Sequence, residues 1–259
     1  CAAAAMKVHP TGIEHGTVTV VVDHRPFEVT TLRHDVETDG RRAKVKFTDD
    51  WDADAQRRDF TMNALYCDAR GTVHDFVGGW PDVQGRRVIF VGDPEQRITE
   101  DYLRILRFFR FHARYGHGAP DAAGLAACTR LKAGLDGLSA ERIRQEMFKL
   151  MSAPGAVETL KLMAGQGILS QLLPYTEDWR VLERLRPDPL LRLAVLAQDP
   201  LSMQERWRLS NHEARRLDAI VSFMPPTPAL RPQEQRIILY QHGAEAWRDL
   251  VRIAWARSD

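Results

Sequence analysis

Asp93-Pro94-Glu95-Gln96-Arg97-Ile98-Thr99-Glu100-Asp101-Tyr102-Leu103-Arg104-Ile105-Leu106-Arg107-Phe108-Phe109-Arg110-Phe111 is the stretch at which strand signals stop and helical ones take over. Upstream of it, residues 17–22 and 27–32 are β-branched runs around Asp23-His24-Arg25-Pro26, a turn composition, so the pair reads as a hairpin. Its second strand alternates, which puts Glu28 on the face opposite Phe27 and Val29. Residues 33–50 are polar and without a sustained period, and read as a mobile loop with a short extended piece at 43–47. A helical pattern follows over 52–65, then a second hairpin, 65–67 with 73–74, around Asp68-Ala69-Arg70-Gly71, and a last short strand at 87–91. Downstream, helices are predicted at 99–115, 120–133, 139–151, 154–164, 185–198, 202–209, 211–223, 232–241 and 244–256, punctuated by Gly, Pro and Ser/Asn caps. The fold class is α+β: a mixed first ninety residues, then an all-α remainder.

Composition narrows the function classes. With 259 residues, 44% of them hydrophobic and 27% charged, the chain can bury a substantial core. No apolar run approaches the ~18 residues that cross a bilayer, so membrane insertion is not expected. Thirty-six Lys and Arg against 35 Asp and Glu leave a net charge of +1, so a polyanionic partner has to be held by a local basic patch. Cys1, Cys67 and Cys128 are far apart and lack a CxxC or paired-His context, which argues against a disulfide framework and a zinc site and points to a reducing cytoplasm. The opening Cys1-Ala2-Ala3-Ala4-Ala5 has no initiator Met and no secretory pattern; it reads as a helix cut in mid-course, with the true start expected upstream.

Two segments carry chemistry. Arg57-Arg58-Asp59-Phe60-Thr61-Met62-Asn63-Ala64-Leu65 sets two guanidinium groups beside an acid and an amide. In the quoted stretch Asp101, Arg104, Arg107 and Arg110 recur every three residues. On a continuous helix such a row slants by about 60° per step, so Asp101, Arg104 and Arg107 share a cleft while Arg110 lies nearly opposite Asp101. Only a ligand as long as a nucleoside triphosphate would reach all four. A charge row is ordinarily a solvated face. Here Leu103, Ile105, Leu106, Phe108, Phe109 and Phe111 leave the arginines to emerge between buried positions.

These residues resemble the tRNA nucleotidyltransferase/poly(A) polymerase family, specifically the bacterial class II CCA-adding enzymes. The resemblance covers nearly the whole chain. Besides the two segments above, it rests on residues 27–33, on Asp75-Phe76-Val77-Gly78-Gly79, and on Ser139-Ala140-Glu141-Arg142-Ile143-Arg144-Gln145-Glu146. It implies a nucleotidyltransferase head of the polymerase-beta type with a mixed β-sheet over residues 1–92, a helical nucleotide-binding neck over 93–152 and a tRNA-binding body over 153–259. Arg58 matches a nucleotide-contacting position with Asp59 adjoining it; Asp101, Arg104, Arg107 and Arg110 match the neck's nucleotide positions. Gly78-Gly79 matches a spring joining head to neck, and residues 139–146 a buttress of the neck. The implied reaction is in-line attack of a tRNA 3′-hydroxyl on the α-phosphate of CTP or ATP with Mg²⁺. The family's Gly-Gly-x-x-Arg-Asp segment and Asp-x-Asp strand have no counterpart here, which leaves Glu28, expected on the central strand, as a candidate third metal carboxylate, against the plainer reading of a salt-bridged or solvent-facing strand glutamate.

Base selection follows from hydrogen-bond chemistry. Cytosine and adenine each offer an amino donor beside a ring-nitrogen acceptor; uracil and guanine offer a carbonyl acceptor beside an N–H donor. The Asp101 carboxylate can accept from the amino group and Arg104 can donate to the ring nitrogen. Uracil would meet both with like facing like, at about 1–3 kcal/mol per unpaired buried group.

The remaining candidates have plainer readings. His15 reads as a turn residue, Asp59 as an anchor for Arg57 and Asn63 in preference to a catalytic acid, Asn63 as a helix residue hydrogen-bonded to backbone near the site, and Ser139 as an N-cap. The tryptophans, including Trp179, Trp207, Trp247 and Trp255, read as core, and Arg180, Arg184 and Arg186 as possible phosphate contacts. The expected function is template-independent CCA addition or repair on tRNA, with no stable protein partner implied. A-adding or CC-adding specialists and poly(A) polymerase are the alternatives within the family, and a catalytically incomplete nucleotide- or tRNA-binding fragment is the alternative outside it.

Overall fold

The computed structural model describes residues 6–12, 16–39, 42–222 and 231–258. Cys1–Ala5 and His15, and with them the readings of a cut helix and a turn histidine, lie outside the described residues. The chain divides into two compact units, residues 1–101 and 102–259.

In the first unit β1 (Lys7–Gly12), β2 (Thr17–Val22) and β3 (Arg25–Thr30) form an antiparallel sheet in that order. Asp23 and His24, both at positive φ, make the tight turn between β2 and β3. The central strand is β2, which contributes the buried Val20. The expectation that Glu28 stands on a central strand is corrected: β3 is the edge strand, pairs Glu28 with Thr19, and is exposed along its whole length, Phe27 and Val29 included. The predicted loop at 33–50 is corrected in part: the extended piece expected at 43–47 is present, and residues 33–39 are strand as well. β4 (Arg33–Asp39) and β5 (Arg42–Phe47) pair as an antiparallel ribbon with a register irregularity between Asp35 and Glu37. Backbone hydrogen bonds hold such a ribbon, so it needs none of the apolar alternation by which strands are recognised.

The helix expected over 52–65 is short. α1 (Trp51–Gln56), capped by Asp50, ends at Arg57, and a 3₁₀ turn follows at Thr61–Asn63. Between them residues 59–61 lie extended against 89–91, through Thr61 N–H to the Ile89 carbonyl and Val91 N–H to the Asp59 carbonyl. That pairing brings Phe60 and Phe90, both buried, to 4.9 Å, and reduces the predicted strand at 87–91 to a single bridge. β6 (Leu65–Cys67) and β7 (Val73–Asp75) form the second predicted hairpin. α2 (Trp80–Gln84) and α3 (Pro94–Glu100) complete the unit.

The second unit is all helix among its described residues: α4 (Leu103–Tyr115), α5 (Ala122–Arg130), α6 (Ala140–Met151), α7 (Ala156–Gly165), α8 (Leu169–Leu172), α9 (Trp179–Arg184), α10 (Pro189–Leu196), α11 (Met203–Arg206), α12 (Asn211–Ser222) and α13 (Pro232–Arg257). Gly243, at φ 77° and ψ 172°, interrupts α13 where two helices are predicted. α4 is the axis of the unit, burying Leu103, Ile105, Leu106, Phe108, Phe109 and Phe111, each large side chain worth about 2–3 kcal/mol. Of the tryptophans read as core, Trp207 is buried and Trp255 is 60% exposed. Arg216 joins α10, α12 and α13 by pairing with Asp188 and the fully buried Asp249, both at 2.7 Å. No described helix is long and apolar enough to cross a membrane.

Candidate functional site

The best-organised polar cluster of the first unit is centred on Asp54, which the sequence reading passed over. Its carboxylate is buried at the end of α1. It accepts from Arg57 Nε at 2.8 Å and Nη2 at 2.5 Å, from Arg58 Nε at 3.2 Å and Nη2 at 2.8 Å, from the Tyr66 hydroxyl at 2.5 Å and from the Arg33 N–H at 3.1 Å. Burial by itself would raise this carboxyl, but the bonds from Tyr66, Arg57, Arg58 and Arg33 overcome it and hold the group down at about 2. Burial and the same bond push the Tyr66 phenol up to about 12. For Arg58, burial opposes the charge and the Asp54 carboxylate more than restores it, leaving the guanidinium above its ordinary value. Arg58 keeps 38% of its side chain exposed and its guanidinium carbon stands 5.8 Å from the Tyr66 ring centre. It is therefore a cation fixed on one side and open on the other, the form a phosphate contact takes.

The same post anchors the β4–β5 ribbon, because Arg57 Nε also donates to the Arg33 carbonyl at 2.8 Å. Arg97, buried in α3, donates from Nη2 to the Arg57 carbonyl and, at 2.7 Å, to the Arg58 carbonyl, and pairs through Nη1 with Glu100. The backbone of both arginines is thus held from below while Asp54 aims their side chains. A sequence signal for Asp54 existed: a carboxylate three and four residues before two arginines on a helix. None existed for Arg97, whose targets lie about forty residues away.

Asp59 accepts from Asn63 Nδ2 at 3.1 Å and from the Phe60 N–H at 3.0 Å. The anchoring of Asn63 is as expected; Asn63 itself sits in the 3₁₀ turn, not in an α-helix, and Arg57 is held by Asp54. The Asp75 carboxylate receives the N–H groups of Val77, Gly79 and Trp80, which pins Gly78-Gly79 inside the first unit. Gly79 packs so closely on the Thr61 carbonyl that a Cβ would collide with it.

The continuous helix predicted over 99–115 is broken. α3 ends at Glu100, Asp101 is extended (φ −157°, ψ 105°), and α4 begins only at Leu103. Asp101 therefore precedes the helix that carries Arg104, Arg107 and Arg110, and the slanting row begins at Arg104. The Tyr102 ring packs against Gly134 with no room for a Cβ, which fixes the start of α4 from the second unit. Arg110 points to α6, where it pairs with the buried Glu146 and stands 4.2 Å from the Phe111 ring centre. Glu146 and Glu141 come from the predicted buttress, Glu141 pairing with Arg208 at 2.6 Å; Ser139 occupies the N-cap position without making a side-chain cap bond. Glu28 stays alone on its exposed strand: among the described residues no three His, Cys, Asp or Glu side chains come together as a metal site.

Comparison with known proteins follows this geometry. Residues 2–89 match the family described as poly A polymerase head domain, and residues 121–180 the family described as probable RNA and SrmB-binding site of polymerase A. The chain is 38% identical over 224 residues to the mitochondrial CCA tRNA nucleotidyltransferase 1 of Danio rerio, covering 82% of this chain and 52% of that protein. It is 36% identical over 228 residues to the CCA-adding enzyme of Streptococcus gordonii, covering 82% and 57%. The crystal structure of the Bacillus stearothermophilus CCA-adding enzyme in complex with CTP superposes with a TM-score of 0.80 at 30% identity, over 96% of this chain and 64% of that one. The chain thus spans about half the length of the first curated relatives it matches.

Proposed function

The chain belongs to the class II tRNA nucleotidyltransferase/poly(A) polymerase family, and from that premise we propose that the protein adds CMP and AMP to the 3′ end of tRNA, building or repairing the CCA terminus from CTP and ATP. The observation that carries the reading is the Asp54 cluster, which holds Arg58 charged, oriented and open on one face. Such a guanidinium suits the triphosphate of the incoming nucleotide. Asp59 and Asn63 support the turn that follows Arg58.

Base choice is assigned to Asp101 and Arg104, the acid accepting from the amino group of cytosine or adenine and the guanidinium donating to the ring nitrogen, with Arg107 beside them; Arg110, paired with Glu146 on α6, is left out of the nucleotide contacts. Side chains do the reading, so no template strand is needed. The proposed division is a head over 1–92, a neck over 93–152 and a body over 153–259. Magnesium is the proposed ion; the described residues, Glu28 included, bring no group of three carboxylate, His or Cys ligands together for it. The proposed location is the cytoplasm, on the wide spacing of Cys1, Cys67 and Cys128 and their lack of a CxxC or paired-His context.

The test is incorporation of labelled CTP and ATP by the full-length protein onto tRNAs lacking one, two or three terminal residues. Stepwise completion to CCA is expected. Long adenylate tails on unrelated RNA would replace this reading with poly(A) polymerase. Addition confined to A or to CC would replace it with one of the specialists.

A further inference from the structure

The second unit holds a cavity of about 370 Å³ lined by Arg110, Arg114, Tyr115, Phe148, Lys149 and Ser152. It lies between the C-terminal turns of α4 and α6, which run in the same direction: Arg110 meets Glu146 and, further along, the Gly155 N–H reaches the Ala113 carbonyl. Three cations line it, and the carboxylate nearest them is Glu146, paired with Arg110 and 4.0 Å from Lys149. Arg114 is exposed and 61% of the Lys149 side chain is open to solvent. Cations in last helical turns commonly complement the helix dipole. That accounts for their sign but not for a concavity walled by two aromatic rings. Those rings are fixed from behind: Tyr115 lies 5.7 Å from Phe111, and Phe148 lies 6.3 Å from the buried Trp207.

We propose that this cavity takes one nucleotide unit of the bound tRNA, with Arg114 and Lys149 on its phosphate, Tyr115 and Phe148 against its base or ribose, and the Arg110–Glu146 pair as a rigid back wall. Aromatic rings beside cations that follow a phosphate backbone are the general means of holding a nucleic-acid strand, and the volume is that of a site for a small ligand. Phe148, Lys149 and Ser152 fall inside the match to the probable RNA-binding family. The inference rests on the proposed tRNA substrate and adds the place of contact.

The experiment compares the wild-type protein with Arg114→Gln, Lys149→Gln, the double variant and Tyr115→Ala. Each is assayed for affinity to a transcribed tRNA lacking its 3′-terminal residues at a series of salt concentrations, and separately for CTP by calorimetry. Removing both cations from this phosphate is expected to weaken tRNA binding by at least tenfold near 0.1 M salt and to flatten the log–log salt dependence by about 1. CTP affinity should stay within twofold. Should the double variant fail to fold, as read by its melting curve, the single variants are expected to give about half of the slope change each. Unchanged tRNA affinity and slope in folded variants, with the wild type binding tRNA, overturn the cavity assignment alone. A parallel loss of CTP affinity overturns it by making the cavity a free-nucleotide site. A wild-type protein that does not bind tRNA removes the proposed substrate, and the inference falls with it.

Discussion

Replacing Asp54 by Asn tests whether one carboxylate organises the arginine cluster. The side chain keeps its size and one acceptor oxygen but loses its charge, while Arg57, with 15% of its side chain exposed, and Arg58 stay where they are. The folded carboxyl sits at about 2 against an ordinary 3.8. At about 1.4 kcal/mol per tenfold change in proton affinity, that difference is about 2 kcal/mol. Breaking a buried pair by removing one partner costs about 3–5 kcal/mol. Asn retains part of the hydrogen bonding, so a loss of about 2–3 kcal/mol at pH 7 is expected. The sign over pH follows from the depressed value: the contribution is fully present above about pH 4 and disappears as the pH falls through about 2. Urea titrations of both proteins, followed by tryptophan fluorescence, measure it; Trp51 stands 4.9 Å from Tyr66, nearly edge-on, and reports on this cluster. The gap between wild type and Asp54→Asn should be constant from pH 7 to 5 and close between pH 4 and 2. A gap under about 1 kcal/mol at neutral pH, or one that persists at pH 2, would refute the reasoning.

Three further outcomes are expected. Asp101→Ala should let UTP compete with CTP in single-nucleotide incorporation, raising UMP addition at least tenfold, and unaltered discrimination would remove Asp101 from base reading. Gly79→Ala should destabilise by about 2–3 kcal/mol through overpacking on the Thr61 carbonyl. Gly78→Ala, which meets no neighbour but sits at φ 74°, should lose only about 1 kcal/mol, and thermal melts that rank the two the other way would contradict the packing argument. Cys128 is buried, and burial pushes its thiol well above the ordinary range, so an alkylating agent mapped by mass spectrometry should modify exposed Cys67 first and Cys128 only on unfolding.

Much of the fold was legible because it depends on short-range pattern. The β2–β3 hairpin, the β6–β7 hairpin and most helices after Leu103 follow from periodicity and from turn or cap residues, whereas the short α8 and α9 fall where no helix is predicted. Of the β4–β5 ribbon only the β5 piece was legible, because the pairing that makes β4 a strand runs through the backbone and leaves no pattern in the residue types. The break at Asp101 was illegible for a different reason: nothing in the polar-apolar rhythm of residues 99–115 marks it, and the seat of the Tyr102 ring on Gly134 is a contact between residues thirty-two apart.

The candidate site divides along the same line. Residue order alone singled out Arg58, Asp59, Asn63, Asp101, Arg104, Arg107 and Arg110, because side-chain chemistry and spacing are properties of the chain as written. Which groups those residues answer to was settled only on folding. Burial of Asp54 turned a surface-looking acid into the post for two guanidinium groups and a phenol. Packing of α4 on α6 gave Arg110 to Glu146, and the edge position of β3 left Glu28 exposed. A carboxylate's partners depend on which distant atoms share its desolvated volume, and that volume exists only once the core has closed around it.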